Sequence, residues 1–113
     1  KAHINIDDID EVTMGQVLTA GAGQAPARQS ALGAGLPTSV QCMTVNKVCG
    51  SGLKATMLVA DSLRLGRTQI CVAGGQENMS LSPHLLEKSR FGYRLGPVQA
   101  TDSLLQDGLW DPY

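Results

Sequence analysis

The sequence predicts an α/β fold, and three observations carry that prediction. A β-prone stretch at Val40–Val48 and an apolar run at Ile70–Ala73 flank an amphipathic stretch at Leu53–Leu65, which is the strand, helix, strand order of a parallel βαβ unit. Glycine supplies 13 of 113 residues, above its usual share of about 7%, so the backbone must pass through tight or crowded places often. The aromatic residues Phe91, Tyr93, Trp110 and Tyr113 all fall late in the chain. What precedes them packs with Ala, Val, Leu, Ile, Met and Cys, a composition suited to helices lying close on a parallel sheet. This shift in composition puts a boundary near residue 80, with an α/β unit over 1–80 and a chemically different region over 81–113.

Taken in order, Asn5–Glu11 is acidic and reads as a solvated loop or helix start. Val12-Thr13-Met14 is a short β-prone stretch that leads to Gly15 and a glycine-rich turn at Gly21–Ala25. Pro26 suits the first turn of a helix, which Ala27–Ala34 continues and Gly33 and Gly35 stop. Val40–Val48 reads as a strand with both faces partly covered. In the Leu53–Leu65 helix, Ala55, Val59 and Leu63 recur every four residues, and Leu53, Met57 and Ala60 extend the same broad face. Gly66 ends that helix, and Ile70–Ala73, closed by Gly74-Gly75, has the length and composition of a central parallel strand. Pro83, Gly92, Gly96 and Pro97 then break up the pattern, and a short helix is expected over Thr101–Gln106.

Composition removes several function classes. With 9 basic and 10 acidic residues, a net charge of -1 and 17% charged residues, the chain is neither a disordered tail nor a general nucleic-acid binder. No apolar run approaches the roughly 20 residues of a membrane-spanning helix. The three cysteines, Cys42, Cys49 and Cys71, form no CxxC pair, which argues against a disulfide framework and a structural zinc site. Thiols without a secretory signal fit a reducing compartment, with the cytoplasm as the default. The chain opens at Lys1 without an initiating Met and stops abruptly at Tyr113; a piece of a longer protein is expected.

Cys42 and Cys71 lie inside predicted strands and read as small core residues. Cys49 differs, because it stands where a strand ends and a helix begins. The first helical N–H groups are unpaired there and the helix dipole is positive, which favours the nucleophilic thiolate. Gly50 and Gly52 let a carbonyl approach closely, and nearby N–H groups could accept an oxyanion. The competing reading is that these glycines only let helix and sheet approach, and spacing alone leaves the two open. Other templates fail. Pro26 stands where a GxGxxG needs its last glycine, Ser51 lacks the flanks of a GxSxG elbow, and His3 and His84 have no metal-ligand spacing. Glu77 follows the Gly74-Gly75 strand end, where open α/β sheets bind ligands; a buried, hydrogen-bonded carboxylate that fixes the loop is the favoured reading. Lys88, Arg90 and Arg94, with Phe91 and Tyr93, read mainly as solvated surface and secondarily as a meeting point for a phosphate-bearing ligand.

Asn46-Lys47-Val48-Cys49-Gly50-Ser51-Gly52-Leu53-Lys54-Ala55 closely resembles the nucleophile motif of the thiolases. The resemblance runs through nearly the whole chain. It takes in Met14-Gly15-Gln16-Val17 and Gly23–Gln29 before the motif, then Val72–Gly75 and Glu77-Asn78-Met79-Ser80 after it. Phe91–Gly96 and Asp107–Asp111 resemble the start of the substrate-covering loop region. Gln76 departs from the pattern, since family members usually carry Met there.

The resemblance implies a thiolase-like fold, with 1–80 as part of the N-terminal α/β domain of a layered αβαβα architecture and 81–113 as the beginning of the loop region. It also implies acyl transfer between acyl-CoA thioesters through an acyl-Cys49 intermediate, with condensation of two acetyl-CoA to acetoacetyl-CoA and the reverse thiolysis. Coenzyme A thioesters are then substrates, and no metal or other cofactor is expected. Nucleic acid and membrane are not expected partners, and the complete protein is expected to be a homodimer or homotetramer. The family's second cysteine, active-site histidine and water-positioning asparagine lie in its later half, and Cys42, Cys71, His3 and His84 do not match them. The isolated chain is therefore expected to be inactive. Two alternatives remain: a truncated, non-catalytic piece acting as an assembly surface, and a condensing enzyme of the β-ketoacyl synthase type.

Overall fold

Val12, Thr13 and Met14 prefer extended backbone, and in the computed structural model, which describes residues 3–113, they form the middle of strand β1 (Glu11–Gly15). Helix α1 (Pro26–Gly33) follows, then β2 (Gln41–Val45), α2 (Ser51–Arg64) and β3 (Cys71–Gly75). The three strands make a parallel sheet in the order β2-β1-β3, with Val12 opposite both Cys42 and Val72. The α/β class is the one expected. Among the described residues β1 lies between β2 and β3, and Val72 of β3 is 40% exposed.

From β1 the chain steps to one side to reach β2, then crosses back over β1 to reach β3. Right-handed crossovers in opposite directions put their helices on opposite faces of the sheet. Side-chain alternation agrees. Val12 joins Ala31 of α1 and Val40 in the buried cluster, with Met14 and Cys42 at its margin. On the other face, Gly15 lies under Ser51 and Gly52 at the start of α2.

The single broad apolar face expected for α2 is instead two. Ala55 and Val59 are buried, whereas Leu53 is 70% and Met57 49% exposed. Residues two apart lie about 200° apart around a helix, so Leu53 and Met57 face away from the sheet that Ala55 and Val59 cover. The helix also starts at Ser51, two residues before its expected start.

Asp10 ties the sheet's entry together. Its carboxylate accepts from the N–H of Gln69 (2.7 Å) and Ile70 (3.1 Å) ahead of β3, and its own N–H donates to the Ile70 carbonyl at 2.8 Å. The Gln69 and Ile70 amides hold its carboxyl below the ordinary aspartate range. A lowered folded-state pKa gives stability that is present above the unfolded value and lost as pH falls through the folded one. Asp10→Ala is accordingly expected to lower the urea midpoint at neutral pH, and the gap from wild type should close on acidification. A gap independent of pH would show that the charge contributes nothing.

Beyond β3 the backbone is irregular. His84–Leu85 (β4) and Thr101–Asp102 (β5) pair antiparallel and close a long hairpin. The helix expected from Thr101 begins at Ser103, after β5, and continues as a wide π turn over Leu105–Leu109. Asp102 sets that start by accepting the Leu104 N–H at 2.9 Å. Among the described residues, no helix is long and apolar enough to cross a membrane.

Candidate active site

The β2 strand stops at Val45, before the Val48 end expected, and the chain turns sharply into α2 through Asn46–Gly50. Val48 takes a left-handed conformation at φ +46°, costly for a β-branched residue by about 1–3 kcal/mol. Three side-chain hydrogen bonds hold it there. Asn46 Oδ1 accepts the Val48 N–H at 2.9 Å, Ser51 Oγ accepts the Lys47 N–H at 2.8 Å, and Ser51 Oγ donates to the Val48 carbonyl at 2.6 Å. Ser51 is buried. Ser51→Ala strands the Lys47 N–H and takes one of two donors from the Val48 carbonyl, which keeps the Ser51 N–H, an expected loss of about 1–3 kcal/mol in chemical denaturation. An unchanged midpoint would show that the hydroxyl does not hold the turn.

The N-terminus of α2 reaches the sheet because three glycines meet there. A Cβ on Gly15 would lie 2.5 Å from the Gly52 nitrogen and from the Ser51 carbonyl carbon, and one on Gly75 would be in ordinary contact with both Gly15 and Gly52. The result is a cavity of about 390 Å³ at the carboxyl ends of β1 and β3, the edge where open α/β sheets bind ligands. Cys49, an exposed free thiol, lines it together with Val17, Leu18, Met79, Leu104 and Leu109. Of the unpaired N–H groups expected near Cys49, those of Gly50 and Ser51 are not free: they donate to the Lys47 and Val48 carbonyls at 3.0 and 3.1 Å. Among the described residues, the Cys49 N–H has no such acceptor.

Cys42 and Cys71 are half-buried in β2 and β3 and do not reach the cavity. His3, His84 and the exposed Lys88, Arg90 and Arg94 do not line it either. Glu77 does line it, and its carboxylate accepts the N–H groups of Val17 and Leu18, both at 2.9 Å. The loop-fixing role is as expected, but the residue is exposed, where burial was expected. Gln76, the departure from the thiolase pattern, makes bonds a methionine cannot. It donates to Gln16 Oε1 at 2.8 Å and accepts from Ser30 Oγ at 2.5 Å. Sequence reasoning missed Gln16, Val48 and Ser51. Only Ser51 left a signal, as a small hydroxyl residue at a helix start. Among the described residues, no group of acidic, histidine or cysteine side chains is arranged to hold a metal ion.

Fold and site together define an α/β protein with a cysteine at a strand-to-helix turn, open to a cavity at the sheet's carboxyl edge. The family described as "Thiolase, N-terminal domain" matches residues 1–113, and the chain belongs to the thiolase family. It is 57% identical over 113 residues to an acetyl-CoA acetyltransferase of Cupriavidus necator, covering all of this chain and 29% of that protein. It is 59% identical over 105 residues to a probable acetyl-CoA acetyltransferase of Escherichia coli, covering 93% of this chain and 27% of that one. A thiolase from Ascaris suum, solved in complex with coenzyme A, superposes with a TM-score of 0.91 at 39% identity, over 97% of this chain and 28% of its own. The chain thus spans less than a third of the length of these relatives.

Proposed function

We propose that the full-length protein carrying this segment is a thiolase-type acyltransferase in which Cys49 is the nucleophile. The observation that supports this most directly is the exposed Cys49 thiol at the mouth of the cavity, on a turn whose strain is held by Asn46 and Ser51. The Cys49 thiolate attacks the carbonyl carbon of an acyl-CoA thioester; the new C–S bond forms, the old one breaks, and CoA leaves as a thiolate that takes up a proton. One thioester replaces another, so the acyl group stays reactive. A base supplied by chain beyond this segment removes a proton from the methyl of a second acetyl-CoA. The carbanion attacks the acyl-Cys49 carbonyl, a carbon–carbon bond forms, and the Cys49 thiolate is released. Thiolysis runs the same steps backwards. The Cys49 N–H is the donor this turn offers to a developing oxyanion.

On this reading acyl-CoA thioesters are the substrates, no further cofactor takes part, and the enzyme serves lipid metabolism in the cytoplasm as a homodimer or homotetramer. Residues 81–113 begin its substrate-covering loop region. The isolated segment lacks the base and histidine, so it condenses nothing by itself. Incubation of the full-length protein with acetyl-CoA, followed by intact-mass measurement, tests the proposal. An acetyl adduct that disappears in Cys49→Ser is the expected result. Absence of any adduct, with the oligomer intact, would favour an assembly role.

A further inference from the structure

We infer that Glu77 is a positioning residue that sets the acyl-facing wall of the Cys49 cavity; this rests on the acyl-transfer reading above. Val17 and Leu18 form part of that wall, yet they belong to the irregular segment after β1, where no sheet partner fixes the backbone. Their two amide hydrogens point instead to one side chain, with Val17 N–H on Glu77 Oε2 and Leu18 N–H on Glu77 Oε1, each at 2.9 Å. Glu77 comes from just past β3, the strand paired with β1, 59 and 60 positions along the chain from the amides it holds.

The rest of the segment is anchored through Gln16, which is 6% exposed. Its side-chain amide donates to the Leu18 carbonyl at 2.9 Å, and its Oε1 accepts from Gln76 at 2.8 Å. Gln76 in turn accepts from Ser30 of α1. Leu18 is therefore held at both its N–H and its carbonyl. A Cβ placed on Gly108 would approach its Cδ2 to 3.2 Å, so the side chain is also confined from the π turn. An acyl group on Cys49 Sγ has to fit between this wall and the start of α2. A bidentate carboxylate on two consecutive amides sets how far the wall stands from the sulfur, and so the size of acyl group that fits. Glu77 needs no contact with substrate to do this.

The test uses the full-length protein. Glu77→Ala is expected to slow acetylation of Cys49 by acetyl-CoA about tenfold or more, to leave its alkylation by iodoacetamide unchanged, and to raise the butyryl-CoA to acetyl-CoA rate ratio. Glu77→Gln, which keeps an acceptor oxygen, should recover part of the loss. If Glu77→Ala does not fold, Leu18→Ala removes the wall's side chain and leaves the carboxylate alone; the same shift toward butyryl-CoA is expected. Wild-type acetylation and acyl preference in the folded Glu77→Ala protein, equal slowing toward both reagents, or an unshifted preference in Leu18→Ala would overturn the inference. A wild-type protein that forms no Cys49 adduct would overturn the acyl-transfer reading with it, whereas a normal wild-type adduct with indifferent variants overturns the role of Glu77 alone.

Discussion

Gly15→Ala is expected to be the most destabilising single methyl addition to this chain, lowering stability by about 3 kcal/mol in urea denaturation. The added carbon would lie 2.5 Å from the Gly52 nitrogen and the Ser51 carbonyl carbon and 2.7 Å from Ser51 Cβ. All three belong to the first turn of α2, and none is the end of a flexible side chain. The helix must lift from the sheet, and it is this same turn that carries Cys49. Cys49 labelling should therefore change along with stability. Gly15 shows no left-handed backbone, so the effect is one of space alone. Gly33 is the matching control: it ends α1, its backbone is likewise not left-handed, and nothing lies within 4 Å of a Cβ built on it. Gly33→Ala should be neutral or slightly stabilising. A wild-type midpoint for Gly15→Ala would mean that α2 does not sit this closely on β1.

Much of the α/β core is legible in the sequence because local signals agree there. Pro26 opens α1, glycines close each helix, and the run at Ile70–Ala73 can only be a short element. What depends on distance along the chain is not legible. The position of β1 between two later strands follows from pairings that no periodicity encodes. The hairpin of β4 and β5 joins two-residue strands across a long loop, too short for any alternation to show. The Ser30, Gln76 and Gln16 chain links residues 46 and 60 positions apart, and each looks like an ordinary polar surface residue when read alone. At the site, the strand-to-helix junction marks Cys49 as unusual, and the resemblance to thiolases turns that into a role. Neither reveals that Val48 is left-handed, because a β-branched residue argues against positive φ. The conformation exists because Asn46 and Ser51 impose it, and each is within three positions of Val48. The two-faced α2 is legible in retrospect: Leu53 and Met57 are too far around the helix from Ala55 and Val59 to share their partner.

Cys49→Ala in the full-length protein is expected to reduce turnover by about 10⁴-fold or more, on the scale seen when a covalent nucleophile is removed, while leaving the fold in place. The two halves of that expectation have different physical origins. Cys49 is exposed and lies outside both β2 and α2, so trimming its sulfur opens no core cavity, and the denaturation midpoint should move by no more than about 0.5 kcal/mol equivalent. The turn is held by the Asn46 and Ser51 side chains and by the Gly50 and Ser51 amides, none of which needs the thiol. Cys49→Ser retains a nucleophilic atom but is expected to stay nearly inactive, because a hydroxyl is far harder to ionise than a thiol and an oxyester is a poorer acyl donor than a thioester. Cys42→Ala and Cys71→Ala, at half-buried strand positions away from the cavity, should show the opposite pattern, with lowered stability and retained turnover. Were Cys49→Ala to keep its activity, the nucleophile would have to be another group. Were it to unfold, the thiol would be part of the scaffold and not merely presented by it.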